Sequence, residues 1–166
     1  GVGGAQHLVT ALFLAKAGVE ALHVPFQGSG PALAALLGGQ VDFGFDTPAA
    51  ASRLVQTGQL RALGITPARP SPQVPGIPPL AAVGGPADYD VAGWNGLMMA
   101  AGTPRPILDR IHAEIRDGMA IPEVRQRYES VGFDVDVLGP DAMQAKLREL
   151  WALFGPVIRQ LGIRAE

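Results

Sequence analysis

Cysteine is absent from the chain, which excludes disulfides, thiolate metal sites and cysteine nucleophiles at one stroke. Charge is sparse too. The 13 Lys and Arg against 15 Asp and Glu leave a net charge of −2, so there is no basic footprint for nucleic acid and no strong pull toward an anionic membrane surface. No apolar run approaches the roughly 18 to 20 residues needed to span a bilayer, so the chain is not expected to be membrane-embedded. No charged-then-apolar targeting segment opens it. His7, His23 and His112 are the only histidines, and none has a second ligand at metal spacing, so neither a metal nor another cofactor is expected. His23 and His112 read as solvated surface residues.

What is plentiful is glycine and proline, 22 and 15 of 166 residues, alongside a 48% hydrophobic fraction. That combination describes a globular chain with many sharp turns and enough length to bury a core. Its most informative stretch runs from Leu22 to Ala50. Leu22, Val24 and Phe26 alternate with His23 and Pro25, a strand pattern ending at the Gly28-Ser29-Gly30 loop. A short helix should follow, with Pro31 at its first position and Gly38-Gly39 as its stop. Val41, Phe43 and Phe45 then alternate against Asp42 and Gly44, predicting a second strand. Asp46-Thr47-Pro48 reads as another helix start, with Asp46 or Thr47 as the cap. Strand, helix, strand, helix implies a parallel α/β arrangement in which both strand ends reach the same sheet edge. Binding chemistry is expected there, at Phe26 to Gly30 and at Asp46 to Pro48.

Upstream, a turn at Gly1 to Gly4 feeds a helix from about Gln6 to Lys16. A glycine-rich turn at a helix start aims unpaired N–H groups at an anion, although a purely structural turn is the competing reading. Downstream, Leu60 to Thr66 reads as a third strand. Seven prolines between Pro67 and Pro86 then fix an extended surface path, read as an ordered loop in preference to a recognition peptide. Tyr89 to Ala100 is β-prone and marks a boundary between lobes, with Trp94 either core or cleft-facing. Helices are expected from Pro104 and from Pro122, a short strand at Phe133 to Val137, and a last helix from about Asp141 to Leu161, bent or broken at Gly155-Pro156.

No catalytic residue emerges. Ser29 lacks the glycine spacing of a nucleophile elbow, and Asp42, Asp46, Asp134 and Asp136 form no acid/base pair. Asp46 alone, at the expected ligand edge, reads as either a cap or a ligand contact.

Taken in order, GVGGAQHL, HVPFQGSGPALAALLGGQVDFGFD, LRALGIT, ARPSPQVPGIP, YDVAGWNGL, AGTP, IPEVRQR and the closing LGI resemble successive segments of the tripartite tricarboxylate transporter substrate-binding proteins, the TctC or Bug family. The resemblance implies an α/β, two-lobed periplasmic-binding-protein type II fold, incomplete at the N-terminus. Residues 1–90 would form most of one lobe, 91–96 the hinge, and 97–166 the returning part of the other lobe. It further implies a non-enzymatic, periplasmic receptor that captures a small organic acid and delivers it to membrane permease subunits. A ligand-sensing domain of a regulator or signalling receptor with the same fold is the alternative. Gly3, Gly4, Ala5, Gln6, His7, Phe26, Gln27, Gly28, Asp46 and Thr47 are the residues expected to bind the ligand. Phe26 stands where the family commonly has Tyr, and Gln27 where it has Lys. Ala5 and Gln6 replace small hydroxyl residues. These departures alter the polar lining, so the substrate is not carried over. A chain missing half of one lobe is also expected to expose apolar surface and to be prone to aggregation or domain swapping.

Overall fold

The computed structural model describes residues 1–163, and within them the regular structure is helical. Six α-helices follow one another: α1 Ala5–Ala17, α2 Ser29–Leu37, α3 Pro48–Gln56, α4 Arg105–Ala120, α5 Pro122–Ser130 and α6 Pro140–Gln160, with a 3-10 turn at Leu80–Ala82. Each lies where the sequence pattern places a helix, with ends that shift by a residue or more. Glycines explain most of the stops. Gly18 ends α1 in the left-handed conformation at φ 64°, its N–H returning to the Leu14 carbonyl, a geometry that side chains with a Cβ resist. The α2 start differs from the reading above: the helix begins at Ser29, which makes Pro31 its third residue. Helix α6 also differs. It continues through Pro156 to Gln160, because losing one donor and its bond leaves the neighbouring helical bonds in place, and the buried Gly155 and Val157 hold this turn in the core.

The strand expectations are not met: among the described residues no sheet forms. Among the described residues the single β-bridge is a parallel pairing of Ile65 with Pro79, and residues 22–26, 41–45 and 133–137 join no ladder. The reason is physical: alternation of apolar and polar residues states which face of an extended segment is buried, but a ladder also needs a neighbour for the backbone N–H and C=O groups. Around the one bridge, neighbours do exist. The Ile65 N–H donates to the Pro78 carbonyl at 2.9 Å, the Leu80 N–H to the Ile65 carbonyl at 2.8 Å, and the Val91 N–H to the Thr66 carbonyl at 3.1 Å. The proline-rich segment is thereby folded against the Leu60 to Thr66 segment, with Val74 and Pro79 buried.

One core organises the chain. Ala11 and Leu12 of α1, Tyr89 and Val91, and Val157 of α6 are buried together, with Phe13, Leu80, Leu153 and Phe154 packed around them. Tyr89 is the largest fully buried side chain, at 1% exposure. Its hydroxyl donates to the Val9 carbonyl at 2.9 Å, and its ring meets Phe13 edge-on at 5.3 Å. Burial pushes its phenol well above the usual tyrosine range. Outside this core, large apolar side chains stand in solvent, among them Leu22 at 90%, Trp151 at 77% and Leu97 at 68% exposure.

Candidate functional site

The starts of α1, α2 and α3, like that of α4, carry no acidic residue in the first turn and no cap from their own N-cap side chain. Their leading N–H groups therefore keep capacity for an external acceptor. At α1 the N-cap is Gly4, so Ala5, Gln6 and His7 are the first three helical residues. The two glycines before them are not free. The Gly4 N–H donates to the Gly1 carbonyl at 3.3 Å, and the Gly3 N–H to His7 Nδ1 at 3.0 Å. The expectation that Gly3 and Gly4 are anion donors is thus modified: their N–H groups build the turn, and those of Ala5, Gln6 and His7, in the first helical turn, have no helical acceptor.

At α2, Gly28 takes φ 96° as N-cap, a conformation that glycine adopts without strain. Phe26 is half-buried, while Gln27 is exposed. At α3 the N-cap residue is Thr47, but the oxygen that serves this corner belongs to Asp46. Its Oδ1 accepts the Thr47 N–H at 2.8 Å and the Ser29 hydroxyl at 2.6 Å. Asp46 therefore places a fixed negative charge between the starts of α2 and α3, where both helix dipoles favour it. Asp46 is not the N-cap of α3: that residue is Thr47, and Asp46 accepts its N–H from the position before it.

Two side chains that were set aside on sequence belong to these corners. His23 is exposed, as its reading as a solvated residue has it, and is stacked on His7 with ring centroids 3.8 Å apart and planes 4° from parallel. Partial burial and mutual repulsion hold the His7 imidazole below its usual range, and partial burial does the same to His23, with the Gly1 amino group adding to both. Ser29, rejected as a nucleophile, is the hydrogen-bond partner of Asp46. The signal for that pairing was present, since Gly-Ser-Gly and the Asp that ends the next extended segment were both assigned to one edge. No signal in spacing foretold the histidine stack. Gly132 also packs here: its φ is 91°, and a Cβ on it would lie 3.1 Å from the Ala49 nitrogen and 3.3 Å from Pro48 Cβ.

The two clusters, Gly3-His7-His23 and Ser29-Asp46-Thr47, are held in one framework by Phe13 of α1 against Phe45, 5.4 Å between centroids. They present open surface. Two open concavities lie elsewhere, one of about 690 Å³ along α4 beside Leu97 and Ile107, the other of about 460 Å³ beside Phe13 and Leu80. Among the described residues no group of three His, Asp or Glu side chains is placed to hold a metal ion. No helix there is long and apolar enough to cross a membrane.

The sequence profile of the tripartite tricarboxylate transporter family receptors, TctC, matches residues 1–163. The chain belongs to that family. A protein from the tcbD-tcbE intergenic region of a Pseudomonas species is 35% identical over 86% of this chain and 43% of its own length. Among solved structures, an R. palustris protein with adipate superposes with a TM-score of 0.81 at 28% identity, over 97% of this chain and 54% of that one. The periplasmic binding protein BugD gives a TM-score of 0.78 at 28% identity, over 100% of this chain and 56% of that one. This TctC-family chain thus spans about half the length of these relatives.

Proposed function

We propose that the chain is part of an extracytoplasmic receptor that binds a small organic carboxylate in the periplasm for a tripartite tricarboxylate-type transporter. The observation that carries this reading is the α1 start, free of acidic first-turn residues, on a backbone similar to that of an adipate-bound protein. A carboxylate is small, doubly accepting and anionic, which suits leading N–H groups and the positive end of a helix dipole. The fixed charge of Asp46 biases the corner at α2 and α3 toward hydrogen-bond donors on the ligand. The α1 corner, with Ala5, Gln6 and His7, is the better place for the carboxylate itself. Phe26 and Gln27 line the segment that leads into α2, and Gln27 contributes no cation, so recognition here rests on hydrogen bonds more than on ion pairing.

In this reading residues 1–90 form most of one lobe, 91–96 the hinge and 97–166 the returning part of the other. Ligand binding shifts the population toward a closed form because the anion contacts both walls only when they meet. Membrane permease subunits then receive it, and no chemical step is involved. Isothermal calorimetry of the full-length protein against a panel of mono-, di- and hydroxycarboxylates tests the proposal. Saturable binding of at least one member is expected; a flat response to the whole panel would sink it.

A further inference from the structure

The structure assigns His23 a task beyond filling surface: we propose that it is a positioning residue, which holds His7 as a neutral acceptor for the Gly3 N–H and so makes the turn in front of α1 sensitive to protons. This rests on the proposed carboxylate site, because that turn precedes the Ala5, Gln6 and His7 donors.

The geometry fixes the chemistry. A ring nitrogen that accepts an N–H carries no proton, so the 3.0 Å bond from Gly3 to His7 Nδ1 puts the neutral ring's single proton on Nε2. Protonation must occur at Nδ1, where it removes the acceptor and sets two donors against each other. His23 raises the cost of that event. Its ring lies 3.8 Å from that of His7, nearly parallel, and two stacked imidazolium ions would repel at close range. The titratable groups that face the pair are each other and the Gly1 amino group, and no carboxylate contributes to either shift. An acid proton on His7 therefore has no counter-charge and one hydrogen bond to break. Gly3, at φ 75°, holds its conformation without a side chain to lock it, so the loss of that bond frees the turn.

A positive charge on His7 would by itself attract a carboxylate. It arrives, however, only with the turn released, so the donors in front of α1 lose their frame as they gain a cation nearby. The apparent affinity is then multiplied by the fraction of molecules in the neutral form. That is about a twofold loss where half of them carry the proton, and about tenfold one pH unit lower.

The experiment is a ligand-free NMR titration of the full chain, following the His7 ring nitrogens and the Gly3 amide, in the natural sequence, His23→Phe and His7→Asn. The natural chain should show the Nε2–H tautomer and a Gly3 amide shift that tracks the protonation of His7. His23→Phe, which keeps a flat ring without a charge, should move both titrations together to higher pH. His7→Asn keeps an acceptor near the Nδ1 position and should remove the pH dependence of Gly3. An Nδ1–H tautomer, a Gly3 shift unlinked to His7, or an unmoved midpoint in His23→Phe each overturns the assignment. Calorimetry of the tightest-binding panel member then reads the site: equal or tighter binding in acid overturns its coupling to the turn. Because the titration needs no ligand, failure of the carboxylate reading and failure of the histidine assignment give different results.

Discussion

Truncating Tyr89 in two steps separates the hydrogen bond from the packing at the centre of the fold. Tyr89→Phe removes only the O–H that donates to Val9 at 2.9 Å, and leaves the ring at 1% exposure against Phe13. Val9 lies inside α1, so its carbonyl keeps a helical role and is not orphaned. The cost should therefore sit within the usual net value of one hydrogen bond, about 0.5–1.5 kcal/mol. Tyr89→Ala empties the whole ring position between α1 and α6, and aromatic-to-alanine changes in cores cost about 3–5 kcal/mol. For a chain of this size each kcal/mol moves the melting temperature by about 2–4 °C. The two variants should thus differ by roughly 3 °C or more in thermal unfolding followed by circular dichroism. A second readout is alkaline titration. Because burial raises the phenol above the ordinary tyrosine value of 10.0, the stability it carries is fully present below that value and lost as pH rises through the raised one. Tyr89→Phe should remove this alkaline loss. Tyr89→Phe as damaging as Tyr89→Ala, or Tyr89→Ala costing under about 1 kcal/mol, would refute the account of the core.

Gly132→Ala forces a Cβ to within 3.1 Å of the Ala49 nitrogen at a φ of 91°, so it should destabilise by about 1–3 kcal/mol in urea unfolding; an unchanged midpoint would deny the packing of this loop on α3. Ser29→Ala and Asp46→Ala, combined in a double-mutant cycle, should show a coupling of about 0.5 kcal/mol or more, because they remove two ends of one 2.6 Å hydrogen bond. Additive losses would mean the bond contributes nothing. Stability should also fall in mild acid. His7 and His23 are both held below 6.5 in the folded chain, so the unfolded chain binds more protons, and stability is lost as pH falls below 6.5 through the lowered values. His23→Phe should make that slope shallower in urea midpoints measured across pH.

The helices were legible in the sequence because their determinants are local. Pro48 and Pro122 open helices, Gly18 closes one with a left-handed turn, and apolar stripes at helical spacing lie between such signals. Each acts within a few residues, so no distant contact is needed to read it. The family, too, was legible, since ordered short motifs run through nearly the whole chain. The expectation that the ends of the two segments before α2 and α3 meet at one edge agrees with the bond from Ser29 to Asp46, although among the described residues no ladder joins those segments. What the sequence could not determine was partnership. Alternation at Leu22 to Phe26 and Val41 to Phe45 specified an extended backbone, yet pairing needs a neighbour, and among the described residues only Ile65 and Pro79 meet as a bridge. The stack of His7 on His23, the capture of the Gly3 N–H by His7, the Ser29 to Asp46 bond and the seat of Gly132 on α3 all join residues whose proximity is set by how helices and loops pack. Three-dimensional proximity has no period along the chain, so only the tertiary structure could decide those contacts.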